Sequence, residues 1–369
     1  MKTLLIIVLA LQSIEDTYKA ANADMDAGRW TEAAARFELV LKDDPTHIPT
    51  QFNLAVCYTK TGDARRAQEL YRKVLDQDAN VFEARVNLAI LLDEAGDSRP
   101  AAEEYEKAAA VRPNDSNLRL AIGLLYMRMS DVEKAYGHLS AAEQNGLKTP
   151  QLFIALSEAA HLKKDEAGSL AYLEQAHNLD PANKSLRRQL GILYREAGAL
   201  PKAVEVLKDA LPEARLELAL AYFDNKQFAE AAPLFAELSQ ANPSNVDYLH
   251  LFGKSMMEQL RYPEAITTFN RVLQMKPDHV EAQGLIGYLQ YTREDWPAAI
   301  QSLSRFLEFE PRHAYSHFVL AICYEKLANV DDALLHYTKF LEYDDGSSDA
   351  RSFQARQRAR ILEERVRKQ

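Results

Sequence analysis

The groups in this chain that could do chemistry near neutral pH are nine histidines, several paired carboxylates and two cysteines. His279, His313 and His317 come closest to a metal-ligand spacing. His313 and His317 lie one helical turn apart, and His279 precedes His313 by 34 residues. Two of the three fall between amphipathic stretches, where polar residues belong in any case, so no metal site is assigned. Glu103-Glu104 and Asp331-Asp332 could work as acid and base only if their pKa values were driven apart. On the solvent face of a helix nothing does that. Gly-x-Ser-x-Gly, His-Glu-x-x-His and Gly-rich phosphate motifs are absent. Cys57 and Cys323 share one phase of an apolar stripe far apart along the chain, which suits buried free thiols and not a disulfide. The expectation is a protein with no catalytic residue and no cofactor.

What remains is recognition chemistry. Three amide side chains, Asn22, Asn53 and Asn87, lie in the first third of the chain. An amide side chain carries a donor and an acceptor, so a ladder of them could grip the main chain of an extended peptide. That requires parallel elements holding the three residues on one wall.

A repeat supplies such elements. Val246–His279 contains two short amphipathic segments broken at Leu260-Arg261-Tyr262 and closed by Pro277, and the pattern returns 34 residues later. Units open at Ile14, Ile48, Phe82, Ser116, Pro150, Lys184, Pro212, Val246, Val280 and Ala314; the sixth has 28 residues, so six are missing after Leu211. Position 8 is always small (Ala21, Gly123, Ser157, Gly253), as is position 20 (Ala33, Ala135, Ser169, Ala265). Small side chains on both helices of a pair let the backbones cross closely. Position 24 is aromatic or Leu, as in Phe37, Tyr71, Phe235, Phe269 and Tyr337, and fills the space around the crossing. Pro45, Pro113, Pro181, Pro243, Pro277 and Pro311 at position 32 end the second helix. Such a unit cannot bury its own apolar face and must stack on copies of itself.

On these residues the chain resembles the tetratricopeptide-repeat family over roughly 14–347. Trp30 and Trp296 stand at position 17 in place of the family's favoured position 4, and the fourth unit ends in Asn145-Gly146 without a proline. The resemblance implies an all-α fold: a right-handed superhelical solenoid of about ten antiparallel helix pairs, with a capping helix at the C-terminus. It also implies a groove walled by the first helix of each pair, helix A. Carried over, the wall holds Tyr18, Asn22, Phe52, Asn53, Asn87 and Met127, then Arg188, His250, Met257, Tyr288, Tyr291 and Phe318. The family's clamp for acidic tails adds lysines and an arginine. Here Tyr18, Glu83 and Asn87 occupy those places, so that clamp is not expected. The later wall, with Met257, Tyr288, Tyr291, Phe318 and Ile322, suits an amphipathic helix; alternatively these residues touch the next helix A.

Both ends depart from the repeat. Residues 1–12 place one lysine before the apolar run Leu4–Leu11, about 12 Å of helix, too short to span a bilayer. The segment resembles a minimal export signal, or else caps the first unit. No cysteine follows it for lipid attachment. Four segments are therefore expected: 1–12, units 14–211, units 212–347 and a basic capping helix over 348–369. The break at Leu211-Pro212 is read as a local kink or as the boundary between two grooves.

A formal net charge of −10 argues against nucleic-acid binding. The sequence therefore predicts a non-catalytic scaffold or adaptor that binds a peptide or partner protein. Its location is exported or envelope-associated, or alternatively cytoplasmic. A second reading makes it the substrate-presenting accessory subunit of a transferase or envelope assembly complex.

Overall fold

The computed structural model describes residues 2–346 and 349–367, with side chains described for 14–346 and 350–367. The signal-like reading of 1–12 rests on side chains that lie outside the described residues. All elements among the described residues are helices, and none is long and apolar enough to cross a membrane. The chain divides into two compact units, Met1–Ala182 and Asn183–Gln369. The frame break at Leu211-Pro212 lies inside the second.

Unit 1 holds five helix pairs: α1 Lys2–Asp26 with α2 Trp30–Asp43, α3 Ile48–Thr61 with α4 Ala64–Gln77, α5 Phe82–Glu94 with α6 Ser98–Val111, α7 Ser116–Arg128 with α8 Val132–Gln144, and α9 Pro150–Leu162 with α10 Glu166–Leu179. Unit 2 continues with α11 Lys184–Glu196 and α12 Leu200–Lys208, α13 Arg215–Asp224 and α14 Phe228–Ala241, α15 Val246–Glu258 and α16 Tyr262–Met275, α17 Val280–Thr292 and α18 Trp296–Phe309, α19 Ala314–Lys326 and α20 Val330–Tyr343, then α21 Asp349–Val366. The fold is the all-α helix-pair stack of a solenoid.

The small-residue crossings are real. A Cβ added to Gly253 would sit 2.7 Å from Phe269 Cε1, and one on Gly287 would sit 2.6 Å from Leu303 Cδ2. Where both crossing residues are serines the hydroxyls satisfy each other: Ser157 Oγ donates to the Ser169 carbonyl at 2.8 Å and lies 3.0 Å from its Oγ. That is why Ser169 can replace alanine in a site only 1% exposed.

Each helix A ends the same way. The fifteenth residue of every unit is left-handed, φ between 58° and 87°: glycine in four units, and Ser130, Lys164, Lys226, Leu260, Glu294 and Ala328 in the other six. At Leu260 the closing bonds run from Leu260 N–H to the Met257 carbonyl (2.9 Å) and from Arg261 N–H to the Met256 carbonyl (3.0 Å). This αL closure of a helix turns the chain into helix B.

The six missing residues fall where the second helix of the sixth pair should end. α12 is only nine residues long. Leu211-Pro212 is a cis peptide, and α13 begins at Arg215, three residues after the frame opens at Pro212. Ala210 and Ala214 are fully buried and hold this turn against the pair.

α21 is laid down like a further helix A. Ser352, Ala355, Ala359 and Leu362 are buried, and the last three join Tyr337 and Phe340 of α20 in one apolar cluster. Ser316, Val319 and Cys323 of α19, buried toward the preceding pair, have the same spacing 36 residues earlier. The repeat therefore runs past Ser347 with a two-residue shift that hides it from a strict 34-residue frame.

Candidate functional site

Within each unit neighbouring A helices touch: α7 meets α9, α11 meets α13, and α17 meets α19. The A helices thus form the inner wall of each stack.

In unit 1 the three asparagines face that wall but are already engaged. Asn22 Nδ2 donates to the Tyr18 carbonyl (3.1 Å), and Asn53 Nδ2 donates to Asn22 Oδ1 (2.9 Å), bridging α1 and α3. Asn87 turns instead to the Tyr71 hydroxyl at 3.2 Å. The three do not form one ladder. They retain the Oδ1 atoms of Asn53 and Asn87, which have no partner among the described residues. Tyr18 packs between Phe37 and His47, and Phe52 meets Tyr71 edge-on at 5.9 Å. Met127 is half-buried against the same core.

In unit 2 the wall begins with charge. Arg188 Nε donates to Glu217 Oε1 at 2.8 Å, flanked by Lys184–Glu213 and Arg195–Asp224, both 3.2 Å, so α11 is zipped to α13. The Glu217 carboxylate raises the Arg188 pKa. His250 lies inside the wall: it is 7% exposed, its ring 5.4 Å from Phe269 and 4.6 Å from His279. Its Nε2 is 3.1 Å from Glu281 but not aligned for a hydrogen bond. Burial lowers its pKa. Phe318 is likewise core, 6% exposed against Phe340 and Tyr337. Helical phase put both residues on the wall, but their bulk fills the seam between helices. Met257 is half-buried beside Phe269's cluster.

Tyr288 and Tyr291 do reach the surface, and they also touch neighbouring elements. Tyr288 places its hydroxyl 2.6 Å from Ser316 Oγ, with its ring 5.4 Å from Tyr315, and Arg351 of α21 covers Tyr315 at 4.7 Å. Tyr291 packs edge-on against Trp296, whose other contact is Lys326 at 5.8 Å. Further along the same wall is a cavity of about 420 Å³ lined by Tyr291, Ile322, Glu325, Lys326, Tyr337, Gln354 and Arg358. Its floor is the Glu325 carboxylate, which accepts from Tyr337 Oη and Arg358 Nε, both at 3.1 Å. Lys326 and Gln354 have exposed polar ends at the rim. The contributions of α21 were missed from sequence. The 36-residue step from Ile322 to Arg358 was the signal that could have revealed them.

The suspected chemical residues have structural work. His47, His279 and His313 each precede a helix A, and each accepts a backbone N–H through Nδ1, at 3.3, 3.2 and 3.2 Å. They are N-caps. Among the described residues no three His, Cys, Asp or Glu side chains are placed to hold a metal ion. Glu104 pairs with Arg85 at 2.6 Å and Lys107 at 2.7 Å. Burial pushes the Cys57 thiol up to about 11 and Cys323 to about 12, so neither offers a ready thiolate.

A tetratricopeptide-repeat model matches residues 24–86, 60–121 and 222–289, and a model of subunit 3 of the anaphase-promoting complex, or cyclosome, matches 258–340. No curated protein matches the sequence. Among solved structures, a chain of Naa15/Naa10 bound to HypK-THB is 13% identical with TM-score 0.49; the match covers 93% of this chain but only 65% of that one. Yeast Tom70 is 13% identical over 96% of each chain with TM-score 0.38. Pseudomonas aeruginosa pilF is 20% identical over 55% of this chain and 94% of its own, with TM-score 0.42. These likenesses are too distant to bear on function. The matched repeat models and the stacked helix pairs together settle the family: the chain belongs to the tetratricopeptide-repeat proteins.

Proposed function

We propose that this protein is a non-catalytic interaction scaffold that holds a peptide, or an exposed segment of a partner protein, on the helix A wall of unit 2. The cavity shared by α17, α19, α20 and α21 carries this reading. It joins apolar lining at Ile322 and Tyr291 to polar ends at Lys326 and Gln354, which suits one anchoring side chain and the main chain beside it. The unit 1 wall is a weaker candidate, because each of its asparagines already commits one amide N–H within the chain.

A displayed random-peptide library selected on the full chain tests the proposal. Selected peptides should bind Ile322→Asp about tenfold or more weakly than wild type, as expected when an apolar anchor site is filled with charge. Equal binding to both proteins, or selection of nothing, would refute it.

A further inference from the structure

We infer that the outer face of α21 is a docking site for an acidic amphipathic helix of a partner protein, seated where a helix B would lie. In α19, the face turned to its own helix B carries His317, Ala321 and Tyr324: His317 and Tyr324 contact His336 of α20, and Ala321 lies in the cluster with Ala333 and Tyr337. The 36-residue step that aligns the buried faces of α19 and α21 carries these positions to Phe353, Gln357 and Arg360. All three are exposed, Phe353 to 62%, and Ile361 one turn along is 40% exposed. α21 is thus a helix A packed on one side only.

The charge on this face selects the occupant. At 100° per residue, Arg356, Arg360 and Arg367 share the face with Phe353, against two carboxylates, Asp349 and Glu364. The three arginines are exposed and have no carboxylate partner among the described residues. The chain as a whole carries −10, so this basic strip is a local reversal. A helix with an apolar ridge flanked by Asp and Glu satisfies both the ring and the guanidiniums. A second copy of α21 would set arginine against arginine. Two exposed apolar side chains, Phe353 and Ile361, give little area for insertion into a membrane.

The site is separate from the groove cavity, which Gln354 and Arg358 reach from another side of the same helix. The test uses the full chain and a lactam-stapled 18-residue peptide with a leucine ridge flanked by glutamates, followed by fluorescence anisotropy. Saturable binding is expected. It should weaken about tenfold in Phe353→Asp and again in Arg356→Glu/Arg360→Glu, and recover in the latter when the peptide's glutamates are exchanged for lysines. The substituted residues are exposed, so circular dichroism should be unchanged. Three outcomes overturn the inference: no binding, or binding that the variants leave intact; self-association in sedimentation that Phe353→Asp abolishes, which would assign the face to a second copy; or co-sedimentation with phosphatidylserine vesicles lost in the same variants, which would assign it to a membrane.

Discussion

Acid should loosen α19 from α20, because two histidines between them share one hydrogen bond that requires a neutral His317, while burial opposes a charge on His336. His317, 2% exposed, places Nε2 3.0 Å from the Pro311 carbonyl and Nδ1 2.8 Å from His336 Nδ1. A carbonyl only accepts, so His317 Nε2 carries the proton and Nδ1 is a lone pair. His336 Nδ1 must therefore donate. Protonating His317 would set two N–H groups face to face. Burial, with His317 and Lys339 adding, pushes His336 down to about 4 against a weaker pull from Asp332, and burial also lowers His317. The sign follows. An unfolded histidine titrates near 6.5, so below that pH the unfolded chain binds more protons than the folded one. Stability is complete above 6.5 and lost as pH falls toward 4. For His336 the loss approaches about 2 kcal/mol at pH 5, and roughly half that once the partly exposed ring is screened by solvent. Urea unfolding of wild type and His336→Phe between pH 7.5 and 4.5 reads this directly. Phenylalanine keeps the stack on Tyr324 but orphans His317 Nδ1, so the variant should be weaker by about 1–2 kcal/mol at pH 7.5. The gap should narrow by about 1 kcal/mol at pH 5, because the variant has one proton fewer to take up. In the variant His317 no longer faces the His336 N–H, which narrows the gap in the same direction, and groups away from this pair act equally on both proteins. A gap that stays constant with pH would refute the reasoning.

Two stability changes should go in opposite directions. Leu260 is 71% exposed with φ 60°, so Leu260→Gly relieves left-handed strain without losing a contact. Net of glycine's greater unfolded entropy, the urea midpoint should rise by the equivalent of about 0.5–1 kcal/mol, and a fall would show the conformation to be unstrained. Gly253→Ala pushes a methyl to 2.7 Å from Phe269 Cε1 and should cost about 1–3 kcal/mol; an unchanged midpoint would mean that the ring can move aside.

The fold was legible because its constraints are steric and recur. Position 8 must be small wherever a helix B crosses, as Gly253 and Gly287 show, so the pattern survives every exchange elsewhere in the unit. The turn after helix A imposes an equally strict backbone demand, yet six of ten units meet it with residues other than glycine. The αL penalty is small enough for neighbouring packing to absorb, so residue type at that position says little. The histidines show the converse. His279 and His313 came closest to a metal-ligand spacing because they share a repeat position, and they share it because each caps the next helix A.

The wall residues were chosen by helical phase, and phase alone cannot separate a residue on the wall from one in the seam behind it. Tyr291 lines the cavity, whereas His250 and Phe318, on helices of the same kind, fill gaps against Phe269 and Phe340. The difference lies in what stands opposite each side chain on a neighbouring helix, which is a property of pairs. The asparagines follow the same rule: Asn53 meets Asn22 one unit back, whereas Asn87 meets the Tyr71 hydroxyl. A repeat fixes where such pairs can form but leaves the residue types at wall positions free. The specificity of the site therefore has to be sought in departures from the repeat, and the largest of these is α21, whose two-residue shift brings Arg358 to Glu325 and leaves Phe353 uncovered.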